Sequence, residues 1–219
     1  MNVQAVVFDM DGVIFDSERC CLNIWKEIAE EKGLSSIGEV FYKCIGTTVP
    51  KTKQILKDAY GDNFDPDMYM EESSRRFHER YDHRKLPMLP YAEEILIFLK
   101  ENGFRIGLAS STREATVRMQ LTEAGLIGYF DRITCGDMLK KSKPEPDIYL
   151  KACADLDVAP ENAVAIEDSF NGIRSAHAAG MIPVMVPDLV PPDDEMRALS
   201  SHIFNDLNEV KEWIRAECC

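Results

Sequence analysis

Short runs of apolar, often β-branched residues recur along the chain and alternate with segments in which apolar residues repeat at helical spacing. Continuous apolar runs of this kind are typical of strands in a parallel sheet that is covered on both faces. The pattern predicts strands at residues 5–8, 104–109, 133–135, 163–166 and 182–186.

Helices are predicted between these strands wherever apolar residues lie three or four positions apart. Val117 and Leu121 show this spacing, as do Leu207, Val210 and Ile214 near the end of the chain. Alternating strands and helices predict an α/β fold, doubly wound, with a parallel sheet, helices on both faces and right-handed crossovers.

One segment between the first and second predicted strands interrupts this alternation. It contains no convincing strand pattern, and its helical stretches at 22–32, 51–60 and 67–81 are strongly charged. We therefore predict an inserted α-helical domain at residues 17–86 and a core domain made of residues 1–16 and 87–219.

Composition narrows the class of protein. The chain has 219 residues, of which 45% are hydrophobic and 29% charged, as in ordinary globular proteins. A net charge of -13 argues against nucleic acid as a partner, and no apolar run is long enough to cross a membrane. Seven cysteines without a CxxC pair, and the absence of a leader pattern, indicate a cytoplasmic protein, expected to be a monomer or weak dimer.

Two acidic residues follow the first predicted strand directly, in the run Asp9-Met10-Asp11-Gly12. Residues two positions apart in extended chain point the same way, so both carboxylates can address one reacting centre. A carboxylate can attack phosphorus, and a neighbouring acid can donate a proton. A polar turn is the alternative; a calcium-binding loop is not supported, because the twelfth position counted from Asp9 is Cys20.

Hydroxyl groups follow the second predicted strand, at Ser110 and Ser111. In open α/β sheets ligands bind beyond the carboxyl ends of strands, where a hydroxyl and the next helix can hold a phosphate. Ser111 has a structural alternative, because residues 111–114 have the spacing of a helix capping box. Ser110 is the stronger candidate.

Charged residues follow the next two predicted strands. Lys143 could offset the charge of a phosphoryl group, although a solvated loop lysine is the alternative. The adjacent acids Glu167 and Asp168 suit a shared Mg²⁺ ion, although either Asp168 or Ser169 could instead cap a helix. Acids, a hydroxyl and a lysine after successive strands together predict a site for phosphate and Mg²⁺.

These residues form four motifs through which the sequence resembles the haloacid dehalogenase superfamily, in its subgroup of sugar-phosphate phosphatases and β-phosphoglucomutases. The motifs are Val7-Phe8-Asp9-Met10-Asp11-Gly12-Val13, Leu108-Ala109-Ser110-Ser111, Ser142-Lys143-Pro144 and Ile166-Glu167-Asp168-Ser169. The resemblance implies a Rossmann-like core with a helical cap inserted after the first motif.

The resemblance also implies roles for individual residues. Asp9 would attack phosphorus, and Asp11 would act as general acid and then as general base. Ser110, Ser111, Lys143 and the backbone N–H of Met10 would hold the phosphoryl oxygens. The Mg²⁺ ligands would be Asp9, the backbone carbonyl of Asp11, and Asp168, with Glu167 supporting the site.

The expected function is phosphatase activity on a small phosphorylated metabolite, with a sugar phosphate as the leading candidate, through an aspartyl-phosphate. A β-phosphoglucomutase-type mutase is the alternative, and a non-catalytic binding protein on the same fold is a further one. The mutase's hinge histidine aligns with Cys20-Cys21, and the loop that carries its phosphate-gripping arginine reads Gly46-Thr47-Thr48-Val49. Trp25, Thr47, Lys51 and Arg75 could face the substrate, but Trp25 has core spacing and the two charged residues suit a solvated surface.

Overall fold

A single sheet of six parallel strands organises the molecule, in the order β3-β2-β1-β4-β5-β6. The computed structural model describes residues 2–83 and 86–218; Met1, Arg84, Lys85 and Cys219, which the predicted domain boundaries include, lie outside the described residues. The strands are β1 (Ala5–Phe8), β2 (Arg105–Ser110), β3 (Arg132–Cys135), β4 (Ala163–Glu167), β5 (Ile182–Met185) and β6 (His202–Ile203). All five predicted strands form, and β6 is an additional edge strand of two residues.

The two faces of the sheet bury alternate side chains of each strand. In β1, Val6 and Phe8 belong to one hydrophobic cluster, while Ala5 and Val7 belong to another. The first cluster includes residues of α5 (Ala92–Glu101), α6 (Glu114–Ala124) and α10 (Leu207–Cys218), and the second includes residues of α7 (Asp147–Leu156) and α8 (Phe170–Ala178). The short helix α9 (Asp194–Leu199) packs beyond β5. The predicted parallel sheet with helices on both faces is confirmed.

Four helices occupy the segment between β1 and α5, and no strand occurs in its described residues, 17–83. They are α1 (Ser17–Lys32), α2 (Ile37–Cys44), α3 (Val49–Tyr60) and α4 (Pro66–Tyr81). Their apolar faces meet in a separate hydrophobic cluster. The sequence pattern did not predict α2, which is only eight residues long and contributes Ile37, Val40 and Phe41 to that cluster.

Trp25 lies in the interior of this four-helix segment. Its ring makes edge-to-face contacts with Phe41 and Tyr69, at centroid distances of 5.0 and 5.3 Å. The Tyr69 hydroxyl donates a hydrogen bond to the Trp25 carbonyl at 2.7 Å. Trp25 is therefore a core residue, as its helical spacing with Leu22 indicated.

The start of α6 differs from the capping box suggested by the sequence. The helix begins at Glu114, and the residue before it, Arg113, makes no side-chain cap. The Glu114 N–H instead donates to Asp137 Oδ1 at 3.1 Å, from the turn after β3. The structural alternative for Ser111 is thus wrong, and its side chain is exposed.

None of the helices in the described residues combines the length and apolarity needed to cross a lipid bilayer.

Candidate active site

The carboxyl ends of the three central strands place the predicted acids beside one another. β1 pairs with β2 on one side and β4 on the other, with Phe8 opposite both Leu108 and Ile166. The Asp9 N–H continues this pairing by donating to the Ile166 carbonyl at 2.9 Å. Adjacent strand ends therefore bring Asp9 to the same edge as the Glu167–Asp168 pair.

Lys143 lies at the centre of this edge and is buried. Its ammonium donates to Asp9 Oδ1 at 2.6 Å, to Glu167 Oε1 at 2.6 Å and to the Ala109 carbonyl at 3.0 Å. Three acceptors use all three ammonium donors. Burial alone would lower the pKa of Lys143, but the carboxylates of Asp9 and Glu167 raise it above its usual value. Lys143 is therefore a fixed buried cation rather than a solvated loop residue.

Glu167 is fully buried and accepts four hydrogen bonds, one of them from the Ser169 backbone N–H to Oε2 at 3.4 Å. Its Oε1 accepts hydrogen bonds from Lys143 and from the Tyr149 hydroxyl, each at 2.6 Å, and its Oε2 accepts from Ser169 Oγ at 3.1 Å. Because both oxygens of this carboxylate already accept hydrogen bonds, Glu167 is suited to orient the residues around it. The sequence reasoning missed Tyr149, although it lies in the helix that follows Lys143.

Asp168 and Asp9 lie in a buried acidic cluster with Glu167. One carboxylate oxygen from each of the three lies within 4.8 Å of the others. Asp168 accepts no hydrogen bond from any residue that the structure describes. Burial raises the pKa of Asp9 to about 8, against the opposing effect of Lys143, and burial and Glu167 raise the pKa of Asp168 well above its usual value.

The chemistry of this cluster fits a divalent cation. Three buried carboxyl groups face one ammonium, so a second positive charge would relieve their repulsion. The donors are hard oxygens, of the kind that Mg²⁺ prefers. Gly12 keeps the loop after β1 in contact with the cluster, since a Cβ atom there would lie 2.2 Å from Asp168 Oδ2.

Asp11 is held by two hydroxyl groups rather than by the acidic cluster. Ser17 Oγ donates to Asp11 Oδ1 at 2.8 Å, and Thr112 Oγ1 donates to Asp11 Oδ2 at 2.9 Å. Each oxygen of the carboxylate thus has a partner that fixes its orientation. Thr112 was not among the predicted site residues, although it directly follows the second motif.

The predicted phosphate-binding residues occupy different environments. Ser110 is fully buried, and its Oγ accepts a hydrogen bond from the Thr112 N–H at 3.1 Å. Ser111 and Lys143 line the cavity described below, whereas Ser110 and Met10 do not. The Met10 side chain packs into the main hydrophobic cluster, so only its backbone is available to a ligand.

A cavity of about 680 Å³ opens over these residues, and we call it the reaction cavity. Asp9, Asp11, Lys143 and Asp168 line it from the sheet edge. From the inserted helices, it is lined by Cys21, Phe77 and residues 46–49, which lead from α2 into the first residue of α3 and which we call the roof loop. A second cavity of about 520 Å³ adjoins it and is lined by Tyr42, Phe170 and Leu189, among others.

The cap candidates fall in different places. Thr47 lines both cavities, and Lys51 lines the second cavity with an exposed side chain. Arg75 lies outside both and pairs with Glu72 and Glu79 on the exposed face of α4. Thr47 is therefore the candidate closest to the reaction site.

Glu18, at the start of α1, adds a carboxylate that the sequence reasoning did not single out. It lines both cavities and accepts no hydrogen bond from any described residue. Burial raises the pKa of Glu18 to about 7, and the charges of Asp11 and Asp188 contribute. Its position two residues after Asp16, next to the first motif, is the signal that could have revealed it.

Comparison with known proteins identifies the family of this chain. Residues 6–186 match the family model described as haloacid dehalogenase-like hydrolase. The chain is 33% identical over 184 residues to the phosphorylated carbohydrates phosphatase of Thermotoga maritima, covering 82% of each protein. It is 32% identical over 191 residues to the β-phosphoglucomutase of Bacillus subtilis, covering 84% of this chain and 83% of the other.

A solved structure shares the fold along nearly the whole chain. The crystal structure of a HAD family hydrolase from Deinococcus radiodurans, with bound phosphate and sodium, matches with a TM-score of 0.81 at 25% identity. The match covers 98% of this chain and 96% of that one. Fold, motifs and family model agree, and the protein belongs to the haloacid dehalogenase-like hydrolases.

Proposed function

We propose that this protein is a Mg²⁺-dependent phosphatase that hydrolyses a small phosphorylated metabolite, a sugar phosphate, through an aspartyl-phosphate on Asp9. The observation that carries the proposal is the pair of differently held carboxylates in one cavity. Asp9 contacts Lys143 through Oδ1. Asp11 is oriented by Ser17 and Thr112.

In the first step, an Asp9 oxygen forms a bond to phosphorus while the bond from phosphorus to the leaving oxygen breaks. Asp11, in its protonated form, donates its proton to that oxygen, so the product leaves as a neutral alcohol. In the second step, Asp11 accepts a proton from water, whose oxygen attacks phosphorus. The bond between Asp9 and phosphorus breaks, and inorganic phosphate is released.

The remaining residues stabilise charge around phosphorus. Lys143, Ser110, Ser111 and the backbone N–H of Met10 would hold the phosphoryl oxygens, and Lys143 has the required buried positive charge. Asp9, the Asp11 backbone carbonyl and Asp168 would bind Mg²⁺, with Glu167 supporting Lys143 and the site. When bound, Mg²⁺ supplies a charge that offsets both the carboxylates and the phosphoryl oxygens.

The helical segment at 17–86 would act as a cap domain over the core at 1–16 and 87–219. Its own hydrophobic cluster supports separate packing, and its residues line the reaction cavity. A cap excludes water from the nucleophile and contacts the leaving group. The substrate class rests on relatives named as a phosphorylated carbohydrates phosphatase and a β-phosphoglucomutase.

Hydrolysis is favoured over mutase activity by what lines the reaction cavity. A mutase must hold a bisphosphate intermediate, which requires cations for both phosphates. Among the described residues that line the reaction cavity, Lys143 is the basic side chain, and its ammonium already has three acceptors. Lys43, Lys51 and Arg174 line the adjoining cavity instead, and Arg174 is already paired with Glu195. The roof loop offers Thr47, Thr48 and Val49 instead of an arginine.

Purified protein should hydrolyse p-nitrophenyl phosphate and members of a sugar-phosphate panel when Mg²⁺ is present. Asp9→Asn should reduce kcat by roughly a thousandfold or more, because it removes the nucleophile. Asp62→Asn, which changes an exposed aspartate in the same way, should leave kcat unchanged.

Absence of Mg²⁺-dependent hydrolysis across the panel would refute the phosphatase. A separate assay supplies a sugar 1-phosphate with a hexose bisphosphate as primer. Isomerised product in excess over released phosphate would assign the mutase instead.

A further inference from the structure

The reaction cavity and its neighbour share a boundary built from both the core and the inserted helices. The residues that line both cavities are Glu18, Gly46, Thr47, Thr48, Asp168, Ser169 and Asn171. A hydrogen bond crosses this boundary from the core to the inserted segment: Asn171 Nδ2 donates to the Gly46 carbonyl at 2.5 Å. The core therefore contacts the roof loop at its first residue.

The Asn171 amide has its orientation set by a second contact. Arg174 Nη1 donates to Asn171 Oδ1 at 2.9 Å, so the amide nitrogen must face Gly46. Arg174 is itself held by Glu195 through two hydrogen bonds, of 2.7 and 2.5 Å. A bidentate pair of this kind fixes the plane of the guanidinium group.

The roof loop is internally braced, so that a contact at Gly46 can position all of it. Thr47 Oγ1 donates to the Cys44 carbonyl at 2.8 Å and lies 2.9 Å from Thr52 Oγ1. Gly46 has a φ of +66°, a conformation that glycine adopts without strain. The brace ties the loop to α2 and α3, and Asn171 ties it to the core.

We propose that Asn171, oriented by Arg174 and Glu195, is a positioning residue that holds the roof loop over the reaction cavity and so sets how well the leaving group binds. The inference rests on the proposed phosphatase function. On the proposed function the phosphoryl group would contact residues at the sheet edge, and the leaving group would extend toward Thr47, Thr48 and Val49, which line the same cavity. Asn171 therefore acts on the leaving group and not on phosphate.

Asn171→Ala tests this by separating the two parts of the substrate. For a sugar phosphate that the wild type hydrolyses, kcat/KM should fall about threefold to tenfold through KM, the range expected for one net hydrogen bond. The inhibition constant of inorganic phosphate should stay unchanged. Hydrogen exchange at residues 45–49 should accelerate while exchange in β1 and β4 stays slow.

Two further variants test the orientation of the amide. Asn171→Asp is nearly isosteric and keeps the partner of Arg174, but it places an acceptor against the Gly46 carbonyl. The fall in kcat/KM should therefore be at least as large as in Asn171→Ala. Arg174→Met by itself should also lower kcat/KM through KM. Combined with Asn171→Ala it should lower kcat/KM little further, because both substitutions act through one contact. Arg215→Lys alters a comparable exposed pair with Glu212 in α10 and should change nothing.

Parallel losses of sugar-phosphate turnover and phosphate inhibition would overturn the inference, as would unchanged exchange at residues 45–49. The exchange measurement needs no substrate. A wild type without phosphatase activity would therefore refute the proposed function while leaving the contact between Asn171 and the roof loop testable.

Discussion

At the scale of single residues, the buried carboxyl group of Glu18 makes the stability of the protein depend on pH. Its carboxyl group lies among Asp11 and Asp188 without a hydrogen-bond donor in the described structure, and burial raises its pKa to about 7. A raised pKa means that the folded protein keeps a proton that the unfolded chain releases. The contribution of Glu18 to stability therefore falls as the pH rises from about 4.5 to about 7.

Glu18→Gln removes this titration and should stabilise the protein only where the native carboxyl would be charged. At pH 8 we expect a gain of about 1–2 kcal/mol in the free energy of unfolding, reduced from the full shift because the side chain is partly exposed. At pH 4.5 the gain should be small. Urea unfolding at both pH values measures it as a shift in midpoint with an unchanged slope.

Glu71→Gln is the matched control, since Glu71 is exposed on α4. It should shift the midpoint at neither pH. A Glu18→Gln effect of equal size at pH 4.5 and pH 8 would show that packing rather than charge is responsible.

The residues that could be predicted from the sequence are those whose position follows from a strand end. Asp9 and Asp168 come directly after the strands β1 and β4, which are neighbours in the sheet, so the sheet topology brings them together. Thr112 and Tyr149 could not be found this way. Thr112 reaches Asp11 across 101 positions of sequence and Tyr149 reaches Glu167 across 18, and both contacts depend on how loops and helices pack.

At the scale of secondary-structure elements, the approach of α8 to β4 determines how Glu167 is held. α8 begins after Ser169, whose Oγ accepts from the Gly172 N–H at 3.1 Å and donates to Glu167. A Cβ atom at Gly172 would lie 1.9 Å from Glu167 Cδ and 2.0 Å from each carboxylate oxygen. The first turn of the helix thus forms one wall of the Glu167 site.

Gly172→Ala should therefore displace either Glu167 or the start of α8. We expect a loss of about 1–3 kcal/mol in the free energy of unfolding, the usual cost of overpacking, together with reduced phosphatase activity. Gly128→Ala is the control, since a Cβ atom there would meet nothing within 4 Å. Equal stability of the two variants would show that Glu167 has room to move.

Elements with long, regular patterns were predictable and short ones were not. β1 spans the predicted residues 5–8, β2 is shifted by one residue at both ends, and β4 extends one residue further than predicted. Helix α2 and strand β6 were not predicted, because eight and two residues are too few to establish a hydrophobic period. The capping box suggested for the start of α6 was wrong, because the Glu114 N–H is capped by Asp137, which is distant in sequence.

At the scale of the whole molecule, the parallel sheet concentrates charge at one edge. Asp9, Glu167 and Asp168 are buried together, and Lys143 offsets only part of their charge. The assembled edge places three buried carboxyl groups against one ammonium, and a bound cation would relieve their repulsion. This cost is distributed over the fold, because β1, β3, β4 and the loops after them all contribute residues or support.

Mg²⁺ should stabilise the whole protein, and more strongly at high pH. Without metal, the raised pKa of Asp9, about 8, means that the native state holds a proton that the unfolded chain releases above about pH 4, so stability falls as the pH rises from 4 to 8. At pH 5.5 protons compete with Mg²⁺ for this cluster, whereas at pH 8.5 Mg²⁺ meets mostly free carboxylates. We compare thermal unfolding in about 10 mM Mg²⁺ with thermal unfolding in the presence of a chelator. Mg²⁺ should raise the Tm by several degrees at pH 8.5 and by less at pH 5.5.

Asp168→Asn, which removes a proposed ligand and leaves Asp9 and Lys143 paired, should abolish most of the increase at both pH values. An increase that does not depend on pH, or that survives Asp168→Asn, would place the bound cation elsewhere and leave the acidic cluster without its proposed partner.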